Sequence, residues 1–228
     1  SYVSLKERGY GLKKIVIGIP RALLYFKYGC LWESFFEELG CEVVLSPESN
    51  KDILDQGINY SIDECCLSSK IYMGHVHWLL GKVDYILVPR LCSLGEREAV
   101  CTKFNALYDI VRNTFKNVPL IHYDVDTLKG NTEFKGFVKM GKQLNKDYVS
   151  IVKAYRKAKK MQEEKNRQRH LKQVEKLKVN NTSKMLIVAH SYNTYDKLVG
   201  LPIINYLKKL GISPVYADAL DHAVCAKR

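Results

Sequence analysis

The feature that most restricts the fold of this chain is a layout that occurs twice. In its first occurrence, residues 14–19 (KIVIGI) form a short, apolar, β-branched run of strand type. A turn at Pro20 and Arg21 follows. Apolar residues then recur at Leu31, Trp32, Phe35, Phe36 and Leu39 with helical spacing, and Gly40 stands where such a helix would end. Residues 42–45 (EVVL) make a second strand, stopped by Ser46 and Pro47. In the second occurrence the strand is 185–188, the helix 197–210, the cap Gly211 and the returning strand 214–217. The two stretches align without a gap: Gly29 falls opposite Gly200, Phe36 opposite Leu207 and Leu39 opposite Leu210. Internal duplication and the common geometry of strand–helix–strand units both account for this, and both readings stay open. Either way the pattern predicts an α/β fold, a Rossmann-like parallel sheet with flanking helices.

Between the two stretches the sequence predicts a helix over 66–80, a strand over 83–88 closed by Pro89 and Arg90, a helix over 102–114 and a strand over 119–122. Residues 146–178 read as one long helix. It is apolar at Tyr148, Val152 and Tyr155 near one end, at Leu171, Val174 and Leu177 near the other, and almost wholly polar from 156 to 170. Such helices usually bridge domains through solvent. The expected organisation is therefore a Rossmann-like domain over 1–145, a basic connector helix over 146–183 and the start of a second Rossmann-like domain over 184–228. One strand–helix–strand unit cannot bury a core by itself, so we expect this second unit to be the truncated front of a larger domain.

Charge argues against a nucleic-acid partner despite a net +12. Residues 146–184 carry 13 Lys/Arg against 4 Asp/Glu, a net +9, so the excess belongs to one helix and not to the fold surface. No apolar run approaches the roughly 20 residues of a spanning helix, and residues 1–14 are charged without an apolar core. No membrane partner is expected, and a cytoplasmic location is. Seven cysteines (Cys30, Cys41, Cys65, Cys66, Cys92, Cys101 and Cys225), odd in number and irregularly spaced, do not form a disulfide framework.

In open α/β sheets ligands bind beyond the carboxyl ends of the strands. The loops there are 20–21, 64–66, 89–101 and 190–196. Cys66 and Cys101 each stand immediately before a predicted helix, where exposed N–H groups and the helix dipole favour a thiolate. The alternative is that both are buried packing residues. His75 and His77, two residues apart on a helix, point to different faces and do not make a metal pair. The chain has no Walker A motif and no G-x-G-x-x-G, and Ser191 is not in a G-x-S-x-G elbow, so ATP hydrolysis, classical dinucleotide binding and serine-hydrolase chemistry have no support.

Residues 17–23 (IGIPRAL), 35–40 (FFEELG), 43–47 (VVLSP), 63–67 (DECCL) with Lys70, Gly74 and His75, 84–90 (DYILVPR), 101–104 (CTKF) and 190–193 (HSYN) with Asp196 together resemble one family. It is the group related to the D-component of 2-hydroxyglutaryl-CoA dehydratase, also described as CoA-substrate-specific enzyme activase-related. The resemblance implies Rossmann-like domains and an iron–sulfur cluster of [4Fe–4S] type held by cysteine thiolates. It implies Cys66 and Cys101 as ligands, with Cys65 as a further candidate. Arg21, Glu64, Lys70, Arg90, His190, Tyr192, Asn193 and Asp196 would then surround the cluster or bind the substrate. It also implies an ATP-dependent activase partner and an acyl-CoA ligand undergoing one-electron chemistry. A non-catalytic electron-transfer, maturation or scaffold module is the alternative. The chain departs from the family pattern at Leu67, Thr102 and Ser191, where proline is expected.

Overall fold

The computed structural model of the protein describes residues 14–93 and 100–220. The first pattern is realised as β1 (Val16–Ile19), α1 (Tyr25–Glu38) and β2 (Glu42–Leu45). Then come α2 (Lys51–Asn59), α3 (Leu67–Leu79), β3 (Tyr85–Ser93), α4 (Thr102–Thr114), β4 (Leu120–Asp126) and α5 (Glu133–Gln143). The long helix α6 (Tyr148–Lys178) leads to β5 (Lys184–Ile187), α7 (Ser191–Tyr195), α8 (Gly200–Lys209) and β6 (Ser213–Tyr216). The periodicity does not announce α2 and α5, but each begins on a capping side chain. Asn50 accepts from the Ile53 N–H and Thr132 from the Lys135 N–H, satisfying donors that the first turn leaves open.

The four strands β2-β1-β3-β4 form one wholly parallel sheet, the α/β Rossmann-like arrangement that the sequence predicts. Alternation along the strands feeds two cores. Ile17, Ile19, Leu87, Leu91, Ile121 and Tyr123 pack with Trp32, Phe35 and Phe36 of α1, Phe137 of α5 and Ile151 of α6. On the other face Ile86 and Val88 pack with Ile71, Tyr72 and Val76 of α3 and with Leu107 and Val111 of α4. Burial on both faces is what a parallel sheet requires.

A second, two-stranded parallel sheet pairs β5 with β6, and α6 and α8 lie against β6. The two units do share their turn. Gly40 and Gly211 follow α1 and α8 at φ of 77° and 75°, a left-handed conformation that glycine adopts without strain, and β2 and β6 each begin two residues later. The first strands do not match. A gapless copy of the Val16–Glu42 pairing would set Ile187 against Ser213, yet Lys184 takes that place, so β5 lies three residues earlier. The expected helix over 197–210 is also shorter at its start, because Asp196 separates α7 from α8 and its carboxylate accepts the Leu198 and Val199 N–H groups.

The polar middle of α6 is exposed over residues 163–168 but is not in solvent throughout. Ala158 and Gln162 are buried, and the Gln162 carboxamide oxygen accepts the Leu31 N–H of α1 at 3.1 Å. Eleven residues on, three turns along the same face, Gln173 accepts the Tyr216 N–H of β6 at 3.1 Å. Among the described residues no helix is long and apolar enough to cross a membrane.

Candidate functional site

Parallel connections place the starts of α3 and α4 at the carboxyl end of the main sheet. Cys66 is the residue that opens α3 and Cys101 the one that opens α4, both exposed and neither using its side chain to cap its helix. Neither helix has an acidic residue in its first turn, so nothing there opposes negative charge at the N–H groups. The two thiols meet electrostatically at one phenol. Burial raises the pKa of the Tyr192 hydroxyl, and negative charge on Cys66 and on Cys101 raises it further. Tyr192 stacks on His190 with ring centroids 5.1 Å apart and meets Phe104 of α4 edge-on at 5.9 Å. The Ser68 hydroxyl of α3 donates to Asn193 Oδ1 at 2.9 Å, tying α7 to the helix that Cys66 opens.

Beside the thiols lies a cleft of about 970 Å³ between the main sheet, α6 and the α7 segment. Leu24, Leu91 and Phe104 give it an apolar wall, Lys27 and Arg167 bring positive charge, Arg169 lines it paired with Asp218, and Cys101 and Tyr192 line it as well. The sequence reading did not include Arg169, Tyr195 or Asp218, which are knit together here. The Arg169 guanidinium donates to the Tyr195 hydroxyl at 2.7 Å and to Asp218 Oδ2 at 3.0 Å, and the Tyr195 O–H donates to Asp218 Oδ1 at 2.7 Å. These residues come from α6, α7 and the turn after β6, and no local motif connects them.

The other expected site residues are distributed as follows. Cys65 is half-buried, and its sulfur accepts from Lys103 Nζ at 3.3 Å, a partner the sequence reading did not name. Glu64 is exposed on the turn before α3. Lys70 turns back to the Asp63 carbonyl at 3.0 Å. Arg21 pairs with Glu48 at 3.4 Å. Arg90 bonds the Asn105 carbonyl of α4 at 3.0 Å and pairs with Asp124 of β4 at 3.6 Å. Cys225 lies outside the described residues. Asp196 is buried and bonded to Ser49. His75 is fully buried and His77 stacks on Tyr60 at 4.8 Å, so the two histidines face apart. The structure thus gathers Cys66, Cys101, His190, Tyr192 and Asn193, and sends Arg90 and Asp196 elsewhere.

As a donor set for an iron–sulfur cluster this fits in part. Two open thiols at helix N-termini suit thiolate ligation, while a cluster of [4Fe–4S] type normally takes about four ligands. Among the described residues no group of three or more His, Cys, Asp or Glu side chains is placed to hold a metal ion. Over residues 16–220 the sequence matches a family described as a CoA enzyme activase uncharacterised domain. Comparison with curated proteins and with solved structures gave no match.

Proposed function

Because the chain belongs to the family of CoA enzyme activase-related domains, we propose that it is the cluster-holding module of an activase-dependent acyl-CoA system. Cys66 and Cys101 would supply two thiolate ligands to a [4Fe–4S] cluster, and the remaining ligands would come from outside the described residues, Cys225 or a partner protein among them. Such a cluster, when bound, supplies a one-electron carrier and an iron site open to a ligand. What this chain's own residues contribute follows from their positions. The two helix starts present open N–H groups beside the thiols, and the Lys103 ammonium bonded to Cys65 adds positive charge next to Cys66. The apolar wall and the positive charge of the neighbouring cleft suit a ligand with an acyl chain at one end and phosphates at the other. An ATP-dependent activase would be the electron donor. The observation that carries the reading is that two uncapped, exposed thiols open two different helices that both contact α7, through Ser68–Asn193 and Phe104–Tyr192.

Anaerobic reconstitution with iron and sulfide tests it, with iron, acid-labile sulfide and the visible spectrum read on the protein and on Cys66→Ser and Cys101→Ser. The expected outcome is incorporation by the parent chain and its loss in each variant. Equal iron content in parent and variants would sink the ligand assignment. If iron binds as expected but acyl-CoA leaves the spectrum unchanged, the chain is an electron-transfer or maturation module. If neither form takes up iron, it is a scaffold whose thiols carry no cluster.

A further inference from the structure

A chain of buried hydrogen bonds runs between the two strand–helix–strand units, and its direction is fully determined by the groups at its ends. The Arg21 N–H donates to Ser46 Oγ at 2.8 Å. Ser46 Oγ lies 2.9 Å from His75 Nδ1, and His75 Nε2 lies 3.0 Å from Ser49 Oγ. The Ser49 hydroxyl bonds Asp196 Oδ2, and Asp196 Oδ1 accepts the Leu198 and Val199 N–H groups at 2.8 and 3.1 Å. Ser46, Ser49, His75 and Asp196 are all buried. An ionised carboxylate can only accept. Ser49 therefore spends its single proton on Asp196, and its oxygen must accept from His75, which places the imidazole proton on Nε2. His75 Nδ1 is then an acceptor, and Ser46 donates to it while accepting from Arg21. Every donor in the chain points toward Asp196.

We infer that Asp196, acting through Ser49, sets the tautomer of His75 from the far unit, and that this ordered chain positions α7 against the helix starts that carry Cys66 and Cys101. Ser49 and Asp196 belong to the loops after β2 and after α7, and their bond is flanked by the Lys197–Glu48 ion pair at 2.8 Å, with Arg21 on the other side of Glu48. Tyr192 and Asn193 stand four and three residues before Asp196 on the segment so held. The inference does not depend on a cluster being bound, and its test uses the chain with free thiols.

The test is the nitrogen NMR spectrum of protein carrying ¹⁵N-labelled histidine, with Asp196→Asn and Ser46→Ala as variants. In the parent, His75 is expected as the Nε2–H form alone. In Asp196→Asn the two backbone N–H groups keep the amide oxygen on their side, so the NH₂ faces Ser49. Ser49 then has to accept there, and its hydroxyl turns to His75 Nε2. Ser46 and Ser49 now compete to donate to one imidazole, and the Nδ1–H form should appear beside the Nε2–H form. In Ser46→Ala only the Asp196 arm remains, and His75 should stay wholly Nε2–H. Amide hydrogen exchange over residues 191–195 should quicken about tenfold in Asp196→Asn, since a neutral amide holds the segment to Ser49, Leu198 and Val199 more weakly than a carboxylate does. A parent spectrum of mixed or Nδ1–H form overturns the inference, as does a Ser46→Ala spectrum that departs from Nε2–H. A parent-like Asp196→Asn spectrum removes Asp196 as the group that sets the tautomer, and unchanged exchange in that variant removes the positioning role.

Discussion

Desolvation pushes the His75 pKa down to about 4, the Arg21 guanidinium adding to the effect, so the imidazole is neutral at pH 7. In the unfolded chain the same group titrates near 6.5. Between those values the unfolded state binds a proton that the folded state refuses. His75 therefore contributes no penalty above about pH 6.5, and stability is lost as pH falls from there toward 4, by an amount on the order of 3 kcal/mol. The urea midpoint should drop between pH 7 and pH 5 by more in the parent than in His75→Gln, which has nothing to protonate; parallel drops would remove His75 as the cause. At this scale the sequence was informative where a short window decides the outcome. Cys66 and Cys101 could be placed at helix starts because a start is set by a few neighbouring residues. Their meeting at Tyr192 could not, because 91 residues separate Cys101 from Tyr192 and no local preference spans that distance.

Helices α2 and α3 cross at two glycines. A Cβ on Gly57 would fall within the van der Waals radius of the Lys70 carbonyl oxygen, and one on Gly74 would do the same to the Ile53 carbonyl. Alanine is favoured over glycine in a helix by about 1 kcal/mol, but here the added methyl forces two backbones apart. Gly74→Ala should lower stability by about 2–3 kcal/mol net, read as the shift in a urea or thermal unfolding curve. A stabilised variant would show that the crossing is looser than its geometry. Cys66 opens α3, so the same substitution should also lower iron uptake if the thiols hold a cluster. None of this could be read from apolar periodicity, since a glycine leaves no mark on a hydrophobic stripe. Helices α2 and α5, which Asn50 and Thr132 cap, have short apolar faces that fall below a periodic signal.

At the scale of the whole molecule, α6 is a strut pinned by two buried glutamines, Gln162 at its middle to α1 and Gln173 near its end to β6. Gln173→Leu leaves the partly buried Tyr216 N–H without this acceptor, at a cost of about 1–3 kcal/mol, and Gln162→Leu removes the buried side-chain bond to Leu31, whose N–H keeps its place in the helix ladder, at a cost of about 1 kcal/mol. The two costs should fall in different places. Gln173→Leu should speed amide exchange in β5 and β6 and leave β1 to β4 unchanged, whereas Gln162→Leu should lower the stability of the main sheet. Identical exchange patterns in the two variants would show that the molecule unfolds as one unit. The fold class was legible because strand and helix periods are local and repeat along the chain. The all-parallel sheet followed from the strand–helix–strand order, since each connection carries a helix long enough for a crossover. The equivalence of the two units was legible from Gly40 and Gly211 onward, where a left-handed turn constrains residue type. It failed at β5, whose register depends on which strand it meets. By itself, then, the sequence determined the elements, their order and the helix-start cysteines, because each of these is an energy balance settled among near neighbours. Only the tertiary structure decided that a polar helix face would be buried, that Asp196 would reach Ser49 and His75, and that Arg90 would turn to Asp124. Those outcomes are hydrogen bonds and ion pairs between distant segments, and a buried polar group's partner is whatever packing brings within about 3 Å of it.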